Sequence, residues 1–128
     1  MYNELDIVKL HEMLKNGEIT PEELVKESLK KSKDIEERCN AFALILDDAK
    51  EREVTDSLLS GIPYGIKDNY STKDIESCAS SNTLTGYVPF FDATVIEKLK
   101  SAGAVATNKT AMDEFGMGGT GTTAKTGI

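Results

Sequence analysis

The stretch that most constrains this chain runs from Gly61 to Asn69 and reads Gly-Ile-Pro-Tyr-Gly-Ile-Lys-Asp-Asn. A glycine and a proline that favour a turn precede a short apolar run, Tyr64 to Ile66, that is typical of a strand. Lys67 follows that run directly, at the point where a strand leaves its sheet, and α/β proteins keep their chemistry there. Partial desolvation would lower the pKa of such a lysine, and a fall of roughly 3 units from ~10.4, about 4 kcal/mol, would make it a base near neutral pH. The alternative is a solvated lysine beside a turn.

A helix, a glycine and a second apolar run follow this stretch. We expect Asp92 to cap a helix that ends at Gly103, and residues 104–107 to form a short buried strand. The polar residues 71–88 are expected to form a loop. Together with the strand at 63–66, these elements make a β–loop–α–β unit, with a right-handed crossover if the strands are parallel. The fold class is therefore predicted to be α/β.

Residues 1–60 are predicted to form a helical leader. Apolar residues at helical spacing indicate a first helix that ends near Gly17. A second helix begins at Thr20, in a capping box that Glu23 closes, and ends near Arg38. Such amphipathic helices either cover the protein's own core or provide a docking surface for a partner subunit.

Two further segments complete the leader. Residues 40–46 form a dense apolar run that fits either a strand or the start of a buried helix. Residues 47–59 return to helical character. His11 is the only histidine, and we interpret it as an edge residue of the first apolar stripe.

Charge and cysteine content exclude several classes of function. The net charge is −7, from 22 acidic and 15 basic residues, which disfavours a nucleic-acid backbone as a direct partner. No apolar run reaches the ~18 residues that a membrane span requires, and the N-terminus has no signal-peptide pattern. Cys39 and Cys78 are too few for a disulfide scaffold, and no cysteine or histidine spacing indicates a metal site. We therefore expect a cytoplasmic chain with free thiols, no metal and no membrane partner.

The end of the chain has the composition of a loop. A short helical start at Met112 and Phe115 is followed by Gly-Gly-Thr-Gly-Thr-Thr at residues 118–123. This run matches neither the phosphate-binding nor the dinucleotide-binding glycine pattern.

The stretch at 61–69 resembles the first block of the amidase signature family, G-I-P-x-x-I/V-K-D-N, which carries that family's catalytic lysine. The resemblance extends over about the whole chain. The Met-Asp-Glu-Phe-x-Met-Gly run at 112–118 resembles one branch, the A-type subunits of glutamyl-tRNA(Gln) amidotransferases. The other matching runs are Cys78-Ala79-Ser80, Asp92-Ala93-Thr94-Val95, Gly103-Ala104-Val105 and 107–118.

The resemblance implies a fold and a set of site residues. The chain would be the N-terminal portion of the family's mixed-sheet α/β/α fold, with the helical leader at 1–60 and the start of the core at 61–128. Lys67 would be the catalytic base. The substrate-binding contacts would come from Gly118, Gly119 and Thr120, while Asp68 and Asn69 would support the lysine.

The same family uses two serines in addition to the lysine. They lie in G-G-S-S-G-G-[ST] and D-x-G-G-S blocks, and neither block occurs in this sequence. Ser80 and Ser81 are adjacent but lack flanking glycines. Lys125 also stands where related sequences tend to be apolar or aromatic. We therefore expect these 128 residues to be inactive alone.

The resemblance also implies partners. A-type subunits hydrolyse glutamine and work with B- and C-type subunits. ATP, magnesium and tRNA would be bound through another subunit, so no cofactor is expected in this chain. The alternatives are a non-catalytic subunit-interaction module and a truncated member of another amidase-signature hydrolase branch.

Overall fold

A computed structural model of the chain describes residues 2–50 and 53–127. Short 3-10 turns lie at Tyr2–Glu4, Asn82–Leu84 and Glu114–Gly116. Among the described helices, none is both long enough and apolar enough to cross a bilayer. The helices and strands are α1 (Ile7–Lys15), α2 (Pro21–Cys39), β1 (Phe42–Ile45), β2 (Pro63–Lys67), α3 (Thr94–Ser101) and β3 (Val105–Thr110).

The capping box predicted for α2 is confirmed. The Thr20 hydroxyl accepts a hydrogen bond from the Glu23 amide at 3.2 Å, and the Thr20 amide donates to the Glu23 carboxylate at 2.9 Å. Pro21 takes the first helical position, where its missing amide hydrogen costs nothing. The helix ends at Cys39, one residue beyond the predicted end, because Asn40 turns into the left-handed conformation.

The sheet has three strands in the order β1-β3-β2. β2 pairs with β3 in parallel, and β1 pairs with β3 antiparallel. The predicted α/β class and the strands at 63–66 and 104–107 are confirmed, and the ambiguous apolar run at 40–46 contains strand β1. The sheet thus joins residues on both sides of the division expected at residue 60.

The main apolar cluster lies between the helices and the turn that leads into β2. It consists of buried leucines and isoleucines from α1, the connection between α1 and α2, α2 itself and the turn. One side of both helices therefore covers the protein's own core. The members of the cluster are Leu10, Leu14, Ile19, Leu24 and Ile62.

The helix expected at 47–59 is wrong for the residues that the structure describes, 47–50 and 53–59, which form turns and bends. Buried Ser60 ties this segment down, since its hydroxyl accepts from the Thr55 amide and donates to the Glu53 carbonyl, both at 2.9 Å. The segment also links β1 to β2 across the central strand. Long-range anchoring therefore overrides the local helical pattern.

Asp92 does not cap α3, contrary to expectation. Ala93 occupies the N-cap position and makes no side-chain cap. The Asp92 carboxylate instead accepts from the Lys73 amide at 2.8 Å and from the Lys100 ammonium at 2.6 Å. A charged donor makes a stronger hydrogen bond than a helical amide does, so Asp92 joins the far end of α3 to the preceding loop. Gly103 ends the helix as predicted, with φ of +82°.

Candidate active site

Lys67 is the last residue of β2, and its side chain is exposed to solvent. The strand is placed by the turn before it, where Gly61 has φ of +76°. The Gly61 amide donates to the Gly103 carbonyl at 3.0 Å. Ile62 and Ile66 are buried near the strand's start and end. Lys67 therefore lies at the carboxyl end of a well-anchored parallel strand.

Asp68 fixes the chain directly after β2. Its side chain is 1% exposed, and its amide donates to the Thr110 carbonyl at 3.2 Å. One carboxylate oxygen accepts from the Cys78 thiol and from the Ser80 amide, both at 3.1 Å. The other lies 3.7 Å from the Lys109 ammonium. The residue beside Lys67 is thus locked to β3 and to the loop after β2.

Lys109 is a fully buried lysine that the sequence analysis did not identify. Its ammonium donates to the Tyr70 carbonyl at 2.9 Å, to the Thr72 hydroxyl at 3.2 Å and to the Ser77 hydroxyl at 2.6 Å. Burial lowers the pKa of Lys109, and the nearby Asp68 carboxylate partly opposes this change. Three acceptors satisfy all three ammonium protons, so Lys109 closes the loop after β2 onto the sheet.

A β-bulge in β3 places Lys109 on its face of the sheet. The register with β2 shifts around Thr107, so that two consecutive side chains contact α2. The Thr107 hydroxyl lies 3.3 Å from that of Ser28, and the Asn108 amide group donates to the Ser32 hydroxyl at 3.1 Å. Lys109 then faces the opposite side. In the sequence, the only sign of this buried lysine is its position two residues past the predicted end of the strand at 104–107.

Residues 77–81, which we call the buried segment, lie in the middle of the predicted polar loop. All five residues are buried, and Ala79 and Ser80 both have positive φ, 49° and 51°. The Ser80 hydroxyl accepts from the Met112 amide, and the Ala79 carbonyl accepts from the Phe115 amide, both at 3.0 Å. The loop is therefore irregular as predicted, but it is packed against the chain that follows β3.

Asp113 organises the glycine-rich loop, residues 118–123. One carboxylate oxygen accepts from the Thr120 and Gly121 amides at 3.1 and 3.0 Å. The other accepts from the amide and the hydroxyl of Thr123 at 3.2 and 3.0 Å. These donors, the Gly121 amide first, hold the pKa of Asp113 below its usual range.

The three predicted substrate-binding residues have different surroundings. A β-carbon at Gly118 would lie 2.5 Å from the Asp113 carboxylate, so this position requires glycine. A β-carbon at Gly119 would meet nothing within 4 Å. The Thr120 amide is already engaged by Asp113. Of the three, Gly119 has the most open surroundings.

Lys125 fastens the end of the chain to the buried segment. Its amide donates to the Ser80 carbonyl at 2.9 Å, and its ammonium lies 3.5 Å from the Glu76 carboxylate. Burial acts to lower the pKa of Lys125, but the Cys78 thiol and Glu76 outweigh it and raise the pKa. Lys125 therefore has partners of its own in the structure.

The structure brings together some of the predicted site residues and not others. Asp68 contacts the buried segment, which in turn contacts the residues before the glycine-rich loop. Lys67 and Asn69 are both exposed. Within residues 2–50 and 53–127, no hydrogen bond joins Lys67 to residues 118–120, and no cluster of acidic, histidine or cysteine side chains could hold a metal ion.

Comparison with protein families gives a match to the amidase family over residues 23–128. The A-type subunit of the glutamyl-tRNA(Gln) amidotransferase of Oenococcus oeni is 44% identical over 127 residues, which covers 92% of this chain and 26% of that protein. This chain therefore spans about a quarter of the length of that curated relative.

Two solved structures have the same fold over most of the chain. The A-type subunit of the glutamyl-tRNA(Gln) amidotransferase from Thermotoga maritima matches with a TM-score of 0.79 and 29% identity, over 97% of this chain and 26% of its own. A peptide amidase in complex with the competitive inhibitor chymostatin matches with a TM-score of 0.78 and 27% identity, over 89% of this chain and 26% of its own.

Proposed function

This chain belongs to the amidase family, and we propose from that premise that it carries the catalytic lysine of the glutamine-hydrolysing, A-type subunit of an amidotransferase. The observation that carries the proposal is the position of Lys67, in the G-I-P-x-x-I-K-D-N run at the carboxyl end of a parallel strand. The resemblance to A-type subunits favours the tRNA-linked branch of the family over other amidases.

Lys67 acts as the base in this proposal. Its amine accepts a proton from one serine. That serine takes up in turn the proton of a second serine, the nucleophile, which attacks the side-chain amide carbonyl of glutamine. These serine blocks are absent from the 128 residues, which span about a quarter of the relative's length, and in this proposal the polypeptide that corresponds to the rest of an A-type subunit supplies them. In this proposal that polypeptide also packs over the amine of Lys67, which is exposed in the 128 residues.

The reaction proceeds in two steps. Attack by the serine oxygen forms an acyl-enzyme, and the carbon–nitrogen bond breaks as the leaving nitrogen takes up the relayed proton and departs as ammonia. Water then hydrolyses the ester to glutamate and restores the serine. Backbone amides near the nucleophile stabilise the oxyanion in both steps.

The partners follow from this role. Ammonia passes to a B-type subunit, which binds ATP, magnesium and the tRNA and amidates the activated Glu-tRNA(Gln), while a C-type subunit completes the complex. The net charge of −7 supports the assignment of tRNA binding to another subunit, because phosphate contacts require basic surfaces.

Two polypeptides test the proposal. In the first, called the fusion, these 128 residues replace the matching part of an A-type relative. The second is the 128-residue chain alone. The fusion should release ammonia from glutamine when combined with B- and C-type subunits, whereas the chain alone should release none. A well-folded fusion without glutaminase activity would refute the proposal.

A docking role is the second candidate, and one observation favours it. Leu5, just before α1, and Ile7 and Val8 in its first turn are 38%, 44% and 55% exposed, as a docking surface requires. Replacing all three with serine in the fusion should weaken its assembly with the B- and C-type subunits without altering its fold. Size-exclusion chromatography measures this assembly. Unchanged assembly would exclude this surface.

Another amidase branch is the remaining alternative, since a peptide amidase shares the fold. The fusion separates the two branches only in part, because its other residues come from an A-type relative. A second fusion, made with the corresponding part of a peptide amidase, provides the comparison. Ammonia release from glutamine that appears only in the first fusion would support the tRNA-linked branch.

A further inference from the structure

We propose that Asp113 is a positioning residue that sets the shape of the glycine-rich loop and leaves Gly118 and Gly119 as the backbone that meets the acyl part of the substrate. This inference rests on the proposed function, because the loop serves as a substrate pocket only in an amidase. The shape of the loop follows from the contacts of Asp113 alone.

The carboxylate of Asp113 gathers the loop around itself. Four donors reach it: the amides of Thr120, Gly121 and Thr123, and the Thr123 hydroxyl, at distances of 3.0 to 3.2 Å. The residue is only 8% exposed. A carboxylate with four donors from a four-residue span forces that span to curve around one point.

The complementary fit of Gly118 supports this role. Any side chain there would meet the Asp113 carboxylate at 2.5 Å, so the glycine and the aspartate occupy adjoining space. The amides of Thr120 and Gly121 point to Asp113 and are unavailable to a ligand. Within the described part of the chain, no hydrogen bond involves the amides of Gly118 or Gly119. The amides of Thr120 and Gly121 therefore hold the loop together, while those of Gly118 and Gly119 can donate to a ligand.

Asp113 is itself held in place from two sides. The Met112 amide before it donates to the Ser80 hydroxyl at 3.0 Å. The Glu114 carboxylate after it accepts from the Ser81 hydroxyl at 2.6 Å. Since Asp68 binds the Ser80 amide, a continuous set of contacts joins the residue after Lys67 to the residue that shapes the loop.

Amide hydrogen exchange in the 128-residue chain tests the loop shape without any activity. In Asp113→Asn, one acceptor oxygen becomes a donor, so either the Thr120 and Gly121 amides or the Thr123 amide loses its partner, and the affected amides should exchange about 10-fold faster or more. The Asp68 amide should be unchanged. The control Asp48→Asn removes an exposed carboxylate elsewhere and should alter none of these rates. Unchanged rates at the three loop amides would overturn the inference.

Gly118→Ala is the second variant, for the case that Asp113→Asn fails to fold. It keeps the carboxylate but pushes it out of its position, so the same three amides should lose protection. If Gly118→Ala leaves their exchange unchanged, the close fit has no consequence and the inference is wrong.

Steady-state kinetics of the fusion test the link to substrate. Asp113→Asn should raise the KM for glutamine about 10-fold or more and change kcat less than about 3-fold, because it disturbs a surface that binds substrate and transition state alike. Asp113→Glu, which retains a carboxylate, should recover part of the loss. If the loop amides exchange faster but the KM is unchanged, Asp113 shapes the loop but has no role in substrate binding. If the unchanged fusion has no activity, the proposed function is wrong. Amide hydrogen exchange in the 128-residue chain would still test the role of Asp113 in the loop shape.

Discussion

Lys67 and Lys109 project from opposite faces of the same pair of strands. Lys109 is the register partner of Ile66, and Lys67 is the next residue along β2. Lys109 is fully buried against the loop after β2, whereas Lys67 is exposed. Because Asp68 lies within 3.7 Å of the buried lysine and directly follows the exposed one, a structural lysine anchors the strand end that presents the proposed catalytic lysine.

The buried lysine should be essential for stability. Lys109→Met leaves the Asp68 carboxylate buried without its ammonium partner, and breaking a buried pair in this way typically costs about 3–5 kcal/mol, so we expect a loss of about that size in the free energy of unfolding. Lys98→Met, at an exposed position of α3, should change the free energy by less than about 0.5 kcal/mol. Urea denaturation measures both. Equal stabilities of the two variants would show that the buried network contributes little.

The Asp92–Lys100 pair should make stability depend on pH. Burial acts to raise the pKa of Asp92, but the Lys100 ammonium and the Lys73 amide outweigh it, so the pKa lies below its ordinary value of 3.8. The folded carboxylate thus binds its proton less readily than the unfolded one. Its contribution is complete above the unfolded pKa and is lost as the pH falls through the folded pKa.

Asp92→Asn measures that contribution. The variant should be about 1 kcal/mol less stable than the unchanged chain at pH 7, since the pair is only partly screened from water. The difference should shrink as the pH falls below about 4. Thermal or urea unfolding at several pH values provides the comparison. A difference that stays constant from pH 7 to pH 3 would contradict the assignment to this carboxylate.

Close contact between β2 and β3 should make Gly65 intolerant of a side chain. A β-carbon at Gly65 would lie 2.6 Å from the side-chain oxygen of Asn108 and 3.1 Å from the methyl group of Thr110. Gly65→Ala should therefore destabilise the chain by about 1–3 kcal/mol, as overpacking typically does. Gly119→Ala is the matched control, since its β-carbon would contact nothing within 4 Å. Similar melting temperatures for the two variants would mean that the strands adjust without strain.

Features set by neighbouring residues could be predicted from the sequence. The capping box of Thr20 and Glu23, the end of α3 at Gly103 and the strand before Lys67 each depend on a few adjacent residues. The resemblance located Lys67 and Asp68 but could not show that Asp68 is buried. For Lys67, placement at a strand end is observed, while its catalytic role stays a prediction.

Features set by distant contacts could not be predicted. Asp92 has the sequence of a helix cap, yet Lys100, eight residues later, takes its carboxylate. The segment 47–59 has helical spacing, but its conformation is set by the hydrogen bonds of buried Ser60 and by its connection from β1 to β2 past the central strand β3. Lys109 is buried because of a bulge at Thr107, and a strand predicted from an apolar run gives no sign of a bulge.

Ammonia release from glutamine by the fusion and its lysine variants tests the role of Lys67. Lys67→Ala should lower kcat/KM of the fusion about 10³-fold, within the range expected for loss of a general base. A melting curve like that of the unchanged fusion would show that the variant still folds. Lys98→Ala should retain full activity. If Lys67→Ala keeps kcat/KM within about 3-fold of the unchanged fusion, Lys67 is not the base and the proposed function of this lysine is wrong.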